Sequence, residues 1–206
     1  MYQPSSYYDY SIFSPDQRLT FGDIVTLQDV VRWRTTDMAW FLGLNVIWGW
    51  SSQEHKNVEQ PAVCLLSRFL INNSWILKGP ISGSPVCHPV DLISVCEAQG
   101  IPLDRHKMAT LFGKTYNTVC QWYKKLKDVP VEERVISDKF GRDTQRLTEL
   151  IIHTINTDGV KAFSFWMDLA TNEGRLWGNK NASNGLGWEL PPELKQKRRG
   201  KVKKKA

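Results

Sequence analysis

Apolar side chains in this chain recur at intervals of three and four residues, and the runs are repeatedly cut by Gly and Pro. Ile24, Leu27, Val30 and Val31 follow that spacing. Met38, Phe41 and Leu42 do the same, and so do Val63, Leu66, Phe69 and Leu70. Such spacing lines up one face of an α-helix. Few windows alternate with the period of two that a strand needs. The pattern predicts an all-α fold made of helices between punctuating turns. With 206 residues, 41% of them hydrophobic, and nine Trp, the chain is long enough to bury a core. No run approaches the ~18 uncharged apolar residues of a membrane-spanning helix, so no membrane partner is expected. The opening MYQPSSYYDYSIFSPD lacks a basic stretch followed by an apolar one, and a secretory signal is not expected.

The turn-formers divide the chain. Residues 1–22, rich in Tyr, Ser and Pro, read as an extended N-terminal arm. Residues 23–77 read as a first helical unit, and 78–90 (KGPISGSPVCHPV) as a Pro/Gly-rich linker. Helical spacing resumes over 91–177. Within it, 142–157 places Leu147, Leu150, Ile151, Thr154 and Ile155 on one face. The stretch 160–169 carries Phe163, Phe165 and Trp166. Residues 178–206 read as a flexible segment followed by a basic tail.

The formal charge of +6 is unevenly placed. Residues 195–206, KQKRRGKVKKKA, hold eight Lys/Arg and no acid. Taking those eight from 27 leaves 19 basic against 21 acidic side chains, a net of −2 for the rest. Basicity of the whole chain is thus no guide to the folded part. Cys64, Cys87, Cys96 and Cys120 form no Cys-x-x-Cys pair, and with His88 their spacings fit no common zinc template. Reduced buried thiols in a cytoplasmic protein are expected, with no metal and no cofactor.

The segment 104–127, DRHKMATLFGKTYNTVCQWYKKLK, is the most informative. Asp104 suits an N-cap, Gly113 a tight turn with positive φ, and Thr115 the cap of a second helix. Val119, Trp122 and Leu126 form that helix's inner face. The small Ala109 allows a close helix crossing. A short helix, a Gly turn and a second steeply angled helix is the helix-turn-helix plan. Residues 105–127 contain Arg105, Lys107, Lys114, Lys124, Lys125 and Lys127 and no acid. Against a body of net −2, that local +6 is a footprint suited to phosphates.

The spacing of Ala109, Gly113, Thr115, Val119 and Trp122 resembles the lambda-repressor-like family of helix-turn-helix DNA-binding proteins. The resemblance implies that the start of the second helix faces base edges. There stand Tyr116, Asn117 and Gln121; Asn and Gln can pair bidentately with adenine. It also implies phosphate contacts from Arg105, Lys107, Lys114, Thr115, Lys124 and Lys125.

A weaker copy precedes it. In 36–50, Asp37-Met38-Ala39 aligns with Lys107-Met108-Ala109, and Phe41-Leu42-Gly43 with Leu111-Phe112-Gly113. Asn45 aligns with the capping Thr115. The copy departs later: Trp50 follows Gly43 by seven residues, and the base-reading positions are the apolar Val46 and Ile47. The stretch from Gln60 to Leu70 resembles the Pro-started fourth helix of the same family. The first unit is expected either to make protein contacts or to dock on DNA through Arg32, Arg34, Asn45 and Lys56. Trp40, Trp48 and Trp50 are expected in the core.

No phosphate-binding loop, nucleophile elbow or His-Glu-x-x-His motif is present, and the four His are scattered. The chain is therefore not expected to be an enzyme, and no catalytic residue is assigned. Taken together, these readings predict a sequence-specific double-stranded DNA-binding transcriptional regulator. The paired units look like regulators carried on phage or on conjugative or integrative elements of bacteria. A relaxosome or partition accessory protein, and an interaction adaptor with a non-specific basic tail, are the alternatives. Lys197, Arg198, Arg199 and Lys201 of that tail would neutralise phosphates without reading bases. A cytoplasmic, nucleoid-associated location and a homodimer are the corresponding expectations.

Overall fold

The computed structural model describes residues 16–44, 50–72, 87–126, 128–130 and 141–189. The fold is all-α. The helices are α1 (Phe21–Val30), α2 (Thr35–Phe41), α3 (Pro61–Asn72), α4 (Asp91–Ala98), α5 (Arg105–Leu111), α6 (Tyr116–Leu126), α7 (Arg142–Asp158), α8 (Val160–Leu176) and α9 (Lys180–Ser183). Among the described residues, a 3-10 turn spans Ser51–Gln53. Strand-like pairing among the described residues is confined to an isolated bridge between Thr20 and Asn57.

Helix starts follow local chemistry. Thr20 Oγ1 accepts from the Asp23 amide at 3.2 Å, and Asp23 Oδ2 accepts from the Thr20 amide at 2.6 Å. This reciprocal capping box satisfies two otherwise orphaned donors. It sets the helix start at Phe21, ahead of the Asp23 that the apolar spacing marks. α7 buries Leu147, Leu150, Ile151, Thr154 and Ile155, the face its spacing predicts. α8 differs from expectation: it continues past the aromatic 160–169 stretch to Leu176. The continuation brings Glu173 into the interior, where tertiary pairing outweighs the weak helix preference of Thr171, Asn172 and Gly174.

One buried apolar cluster runs through residues on both sides of the expected linker. It includes Leu19, Ile24, Leu27, Met38, Phe41 and Leu66 from the first half, and Leu92, Met108, Phe112, Val119, Leu150 and Trp166 from the second. α3 packs against α1, α7 and α8. The largest buried side chain, Trp166, stacks on Phe69 of α3 with ring centroids 4.7 Å apart, and its indole N–H donates to Thr154 Oγ1 at 2.8 Å. Most of the expected 78–90 linker lies outside the described residues.

The two glycine turns are seated in a reciprocal way. Gly113, after α5, has φ +62°, and a Cβ there would lie 2.3 Å from the Pro61 Cβ at the start of α3. Gly43, after α2, has φ +68°, and a Cβ there would lie 2.2 Å from the Asp143 amide nitrogen at the start of α7. Each turn of the internal repeat is thus covered by a helix start from the other half.

A buried ion pair links the halves as well. Arg68 of α3 pairs through its Nε with Glu173 of α8, both buried. Arg68 Nη2 also donates to the Gln17 carbonyl at 2.6 Å, and the Trp177 indole donates to Glu173 Oε1 at 2.8 Å. The Arg18 guanidinium lies over the Trp177 ring, 4.3 Å from its centroid. Among the three Trp expected in the core, Trp40 is instead 52% exposed on α2, with the Arg146 guanidinium 4.0 Å over its ring. Trp50 is partly buried against Phe21, and Trp48 lies outside the described residues. Among the described residues, no helix is long and apolar enough to cross a membrane.

Candidate nucleic-acid interface

Asp104 Oδ1 accepts from the Lys107 amide at 2.8 Å and so starts α5. The helix buries Met108, Ala109, Thr110 and Leu111 and ends at the Gly113 turn. Thr115 Oγ1 accepts from the Thr118 amide at 3.3 Å and lies 2.9 Å from Thr118 Oγ1, capping α6. Val119 of α6 is fully buried, while Trp122 meets Phe112 and His88 edge-on, with centroids 6.2 and 5.5 Å apart.

These contacts decide which side of α6 is left to solvent. Asn117, Gln121 and Lys124 recur at four and three residues and are all exposed, as is Lys125. Two amides and an ammonium therefore share one stripe along the helix. Tyr116 lies on the adjoining flank with Cys120 and Tyr123. Its ring stacks on His106 of α5, with centroids 4.2 Å apart and an interplanar angle of 21°. The exposed Arg105 guanidinium sits over the Tyr123 ring at 4.9 Å and approaches Cys120 Sγ at 3.9 Å. Hydrogen bonding to Cys120 raises the already high pKa of Arg105, so it is a permanent cation.

The other expected phosphate-binding residues are placed less uniformly. Lys107 Nζ donates to the Pro102 carbonyl at 2.7 Å, at the N-terminal end of α5. Lys114 is half-buried in the turn. Arg32 and Arg34 are both exposed at the C-terminal end of α1, Arg32 with φ +56° and Arg34 as the N-cap of α2. The Lys56 carbonyl accepts from the Phe21 amide at 3.0 Å, at the opposite end of α1. Ten helical residues, about 15 Å, separate these two groups, so they do not form one patch. Asn45, Val46, Ile47, Lys127 and the tail residues Lys197, Arg198, Arg199 and Lys201 lie outside the described residues.

Sequence reasoning missed the segment that braces this site. The Trp188 amide donates to the Lys114 carbonyl at 2.9 Å, and its indole N–H donates to the Thr110 carbonyl at 3.1 Å. The Gly187 amide donates to Thr110 Oγ1 at 2.8 Å. A Cβ on Gly187 would meet the Ala109 Cβ at 2.7 Å, so the small Ala109 makes room for this segment. His106 Nδ1 lies 3.1 Å from the Leu186 carbonyl, which only accepts, so that nitrogen carries the proton. The one legible signal was Trp188 standing in a run of turn-formers. Among the described residues, no cluster of three or more His, Cys, Asp or Glu could hold a metal. No family model, curated protein or solved structure matches this chain.

Proposed function

We propose that this chain is a sequence-specific double-stranded DNA-binding regulator that reads bases with α6. The observation carrying the reading is the α5–Gly113–α6 arrangement, which leaves Asn117, Gln121 and Lys124 as one exposed stripe. A helix presenting amides toward base edges with cations beside them is the chemistry of major-groove readout. The six Lys/Arg and absence of acids over residues 105–127 support the same surface. Such a protein works where the DNA is, at the nucleoid. A two-fold operator would require a homodimer, and sedimentation with and without DNA measures the stoichiometry.

Selection of binding sites from random duplex DNA tests the proposal. The expected result is an enriched motif whose information at one or two base pairs is lost in Asn117→Ala or Gln121→Ala. Recovery of duplexes without any motif would replace regulation by architectural, non-specific binding. Genome-wide occupancy separates promoters from an origin of transfer or a partition site, the settings of an accessory protein.

A further inference from the structure

One side chain outside the helix-turn-helix motif joins α5, α6 and the brace. His106 Nδ1 donates to the Leu186 carbonyl at 3.1 Å, and the same ring stacks on Tyr116, the first residue of α6, with centroids 4.2 Å apart. We propose that His106 is a DNA contact: its protonated imidazole binds a backbone phosphate through Nε2, beside the start of α6. The inference rests on α6 being the DNA-reading helix and names a further residue of that same surface.

The bond at Nδ1 dictates what the other ring nitrogen can do. A carbonyl only accepts, so Nδ1 carries a proton in both charge states of the ring. In the neutral ring Nε2 then presents a lone pair, which repels a phosphate oxygen. In the imidazolium it presents an N–H, which donates to one with the help of opposite charge. Contact with an anion at this nitrogen therefore requires the uptake of a proton. His106 is exposed, and among the described residues no hydrogen bond engages Nε2. The stack and the Nδ1 bond hold the ring in place ahead of any ligand. Docking geometry makes the anion a backbone phosphate. In a helix-turn-helix the second helix enters the groove by its N-terminal residues, while the first helix crosses the backbone. Tyr116 stands at the start of the second helix, and His106 stands against it from the first. The groups around the ring agree with an anionic ligand. α6 sets the Tyr116 phenol ring against it. On α5 its neighbours are the cations Arg105 and Lys107, and the carboxylate of Asp104 is engaged by the Lys107 amide. The brace contributes the uncharged Leu186 carbonyl, while the acid of that segment, Glu189, accepts from Asn181 of α9 at 2.7 Å.

Phosphate contacts do not need the operator, so the probe is a mixed-sequence duplex of about 20 base pairs, titrated calorimetrically into the full chain at low salt. Histidine side chains change charge between about pH 5 and pH 8, so affinity should rise several-fold from about pH 8 to about pH 6. Titrations in buffers of different ionisation enthalpy should show uptake of up to about one proton per chain on binding. His106→Gln keeps a donor for the Leu186 carbonyl but carries no charge. It should lose both the gain at low pH and the proton uptake. His106→Phe keeps a ring on Tyr116 and should behave alike, so the result does not depend on the folding of one variant. His153→Gln, at an exposed histidine on α7, should keep the full response. Base preference should be the same in all of these, because phosphates carry no sequence information. Absence of proton uptake by the intact chain overturns the inference, and so does uptake that persists in both His106 variants. If the intact chain binds no duplex at either pH, the reading of α6 itself falls, a result distinguishable from the first two.

Discussion

At the residue scale, the turn and the proposed reading stripe make opposite demands. Gly113 has a left-handed backbone and Pro61 pressed against it, so no side chain fits. Gly113→Ala combines backbone strain of about 1–2 kcal/mol with a steric clash, and should lower the urea midpoint correspondingly. On the stripe, by contrast, substitutions should spare stability and alter recognition. Lys124→Ala should weaken every duplex alike and reduce the salt slope by about one unit or less, whereas Asn117→Ala should relax one or two base pairs at a cost of about 1–3 kcal/mol in discrimination. Titrations against single-base variants separate the two patterns. The thiols offer an independent check of the core. Burial, with Glu97 adding to it, pushes the Cys96 thiol up to about 11, and burial raises Cys64 well above its ordinary value. Brief alkylation of the native protein at pH 8 should therefore spare both while labelling the half-exposed Cys120. Because the folded-state pKa of Cys96 is raised, the stability it contributes is complete below about pH 9 and declines as pH climbs toward 11. An alkaline titration of stability in which Cys96→Ala flattens that decline would bear this out.

At the element scale, the helix starts carry much of the local specification. Thr115→Ala removes the cap of α6 and should cost about 1 kcal/mol in thermal unfolding, with Thr115→Ser restoring most of it. The same change should loosen the helix that presents Asn117. α5 and α6 have little freedom to reorient, because Ala109, Thr110 and Lys114 are held from outside by Gly187 and Trp188. This brace explains why a segment full of Asn and Gly is nonetheless ordered: its amides find fixed acceptors on α5 and the turn. It also places Tyr116 against His106, on the flank and not on the central stripe.

At the scale of the whole molecule, the halves are joined by a shared apolar cluster, by the exchanged seats of the two glycine turns, and by Arg68 with Glu173. Removing one partner of a buried ion pair strands a charge. Arg68→Met or Glu173→Gln alone should therefore destabilise by about 3–5 kcal/mol. The pair Arg68→Met with Glu173→Leu should recover much of that loss. Denaturant unfolding followed by Trp fluorescence measures each. A double variant as unstable as the sum of the singles would show that the pair's hydrogen bonds to Gln17 and Trp177 matter more than its charges.

Sequence by itself determined the all-α class, the buried face of α7, the caps Asp104 and Thr115, and the Gly113 turn. Each of these depends on interactions within a few residues, and local spacing reports them directly. Tertiary structure alone decided the rest. Glu173 extends α8 because its partner Arg68 lies 105 residues away. Trp40 faces solvent because its ring is met by Arg146 from another helix and not by the core. The brace from Gly187 and Trp188 reaches Thr110 across 77 and 78 residues. Contacts of that range leave no periodicity in the chain; they exist only once the helices have packed.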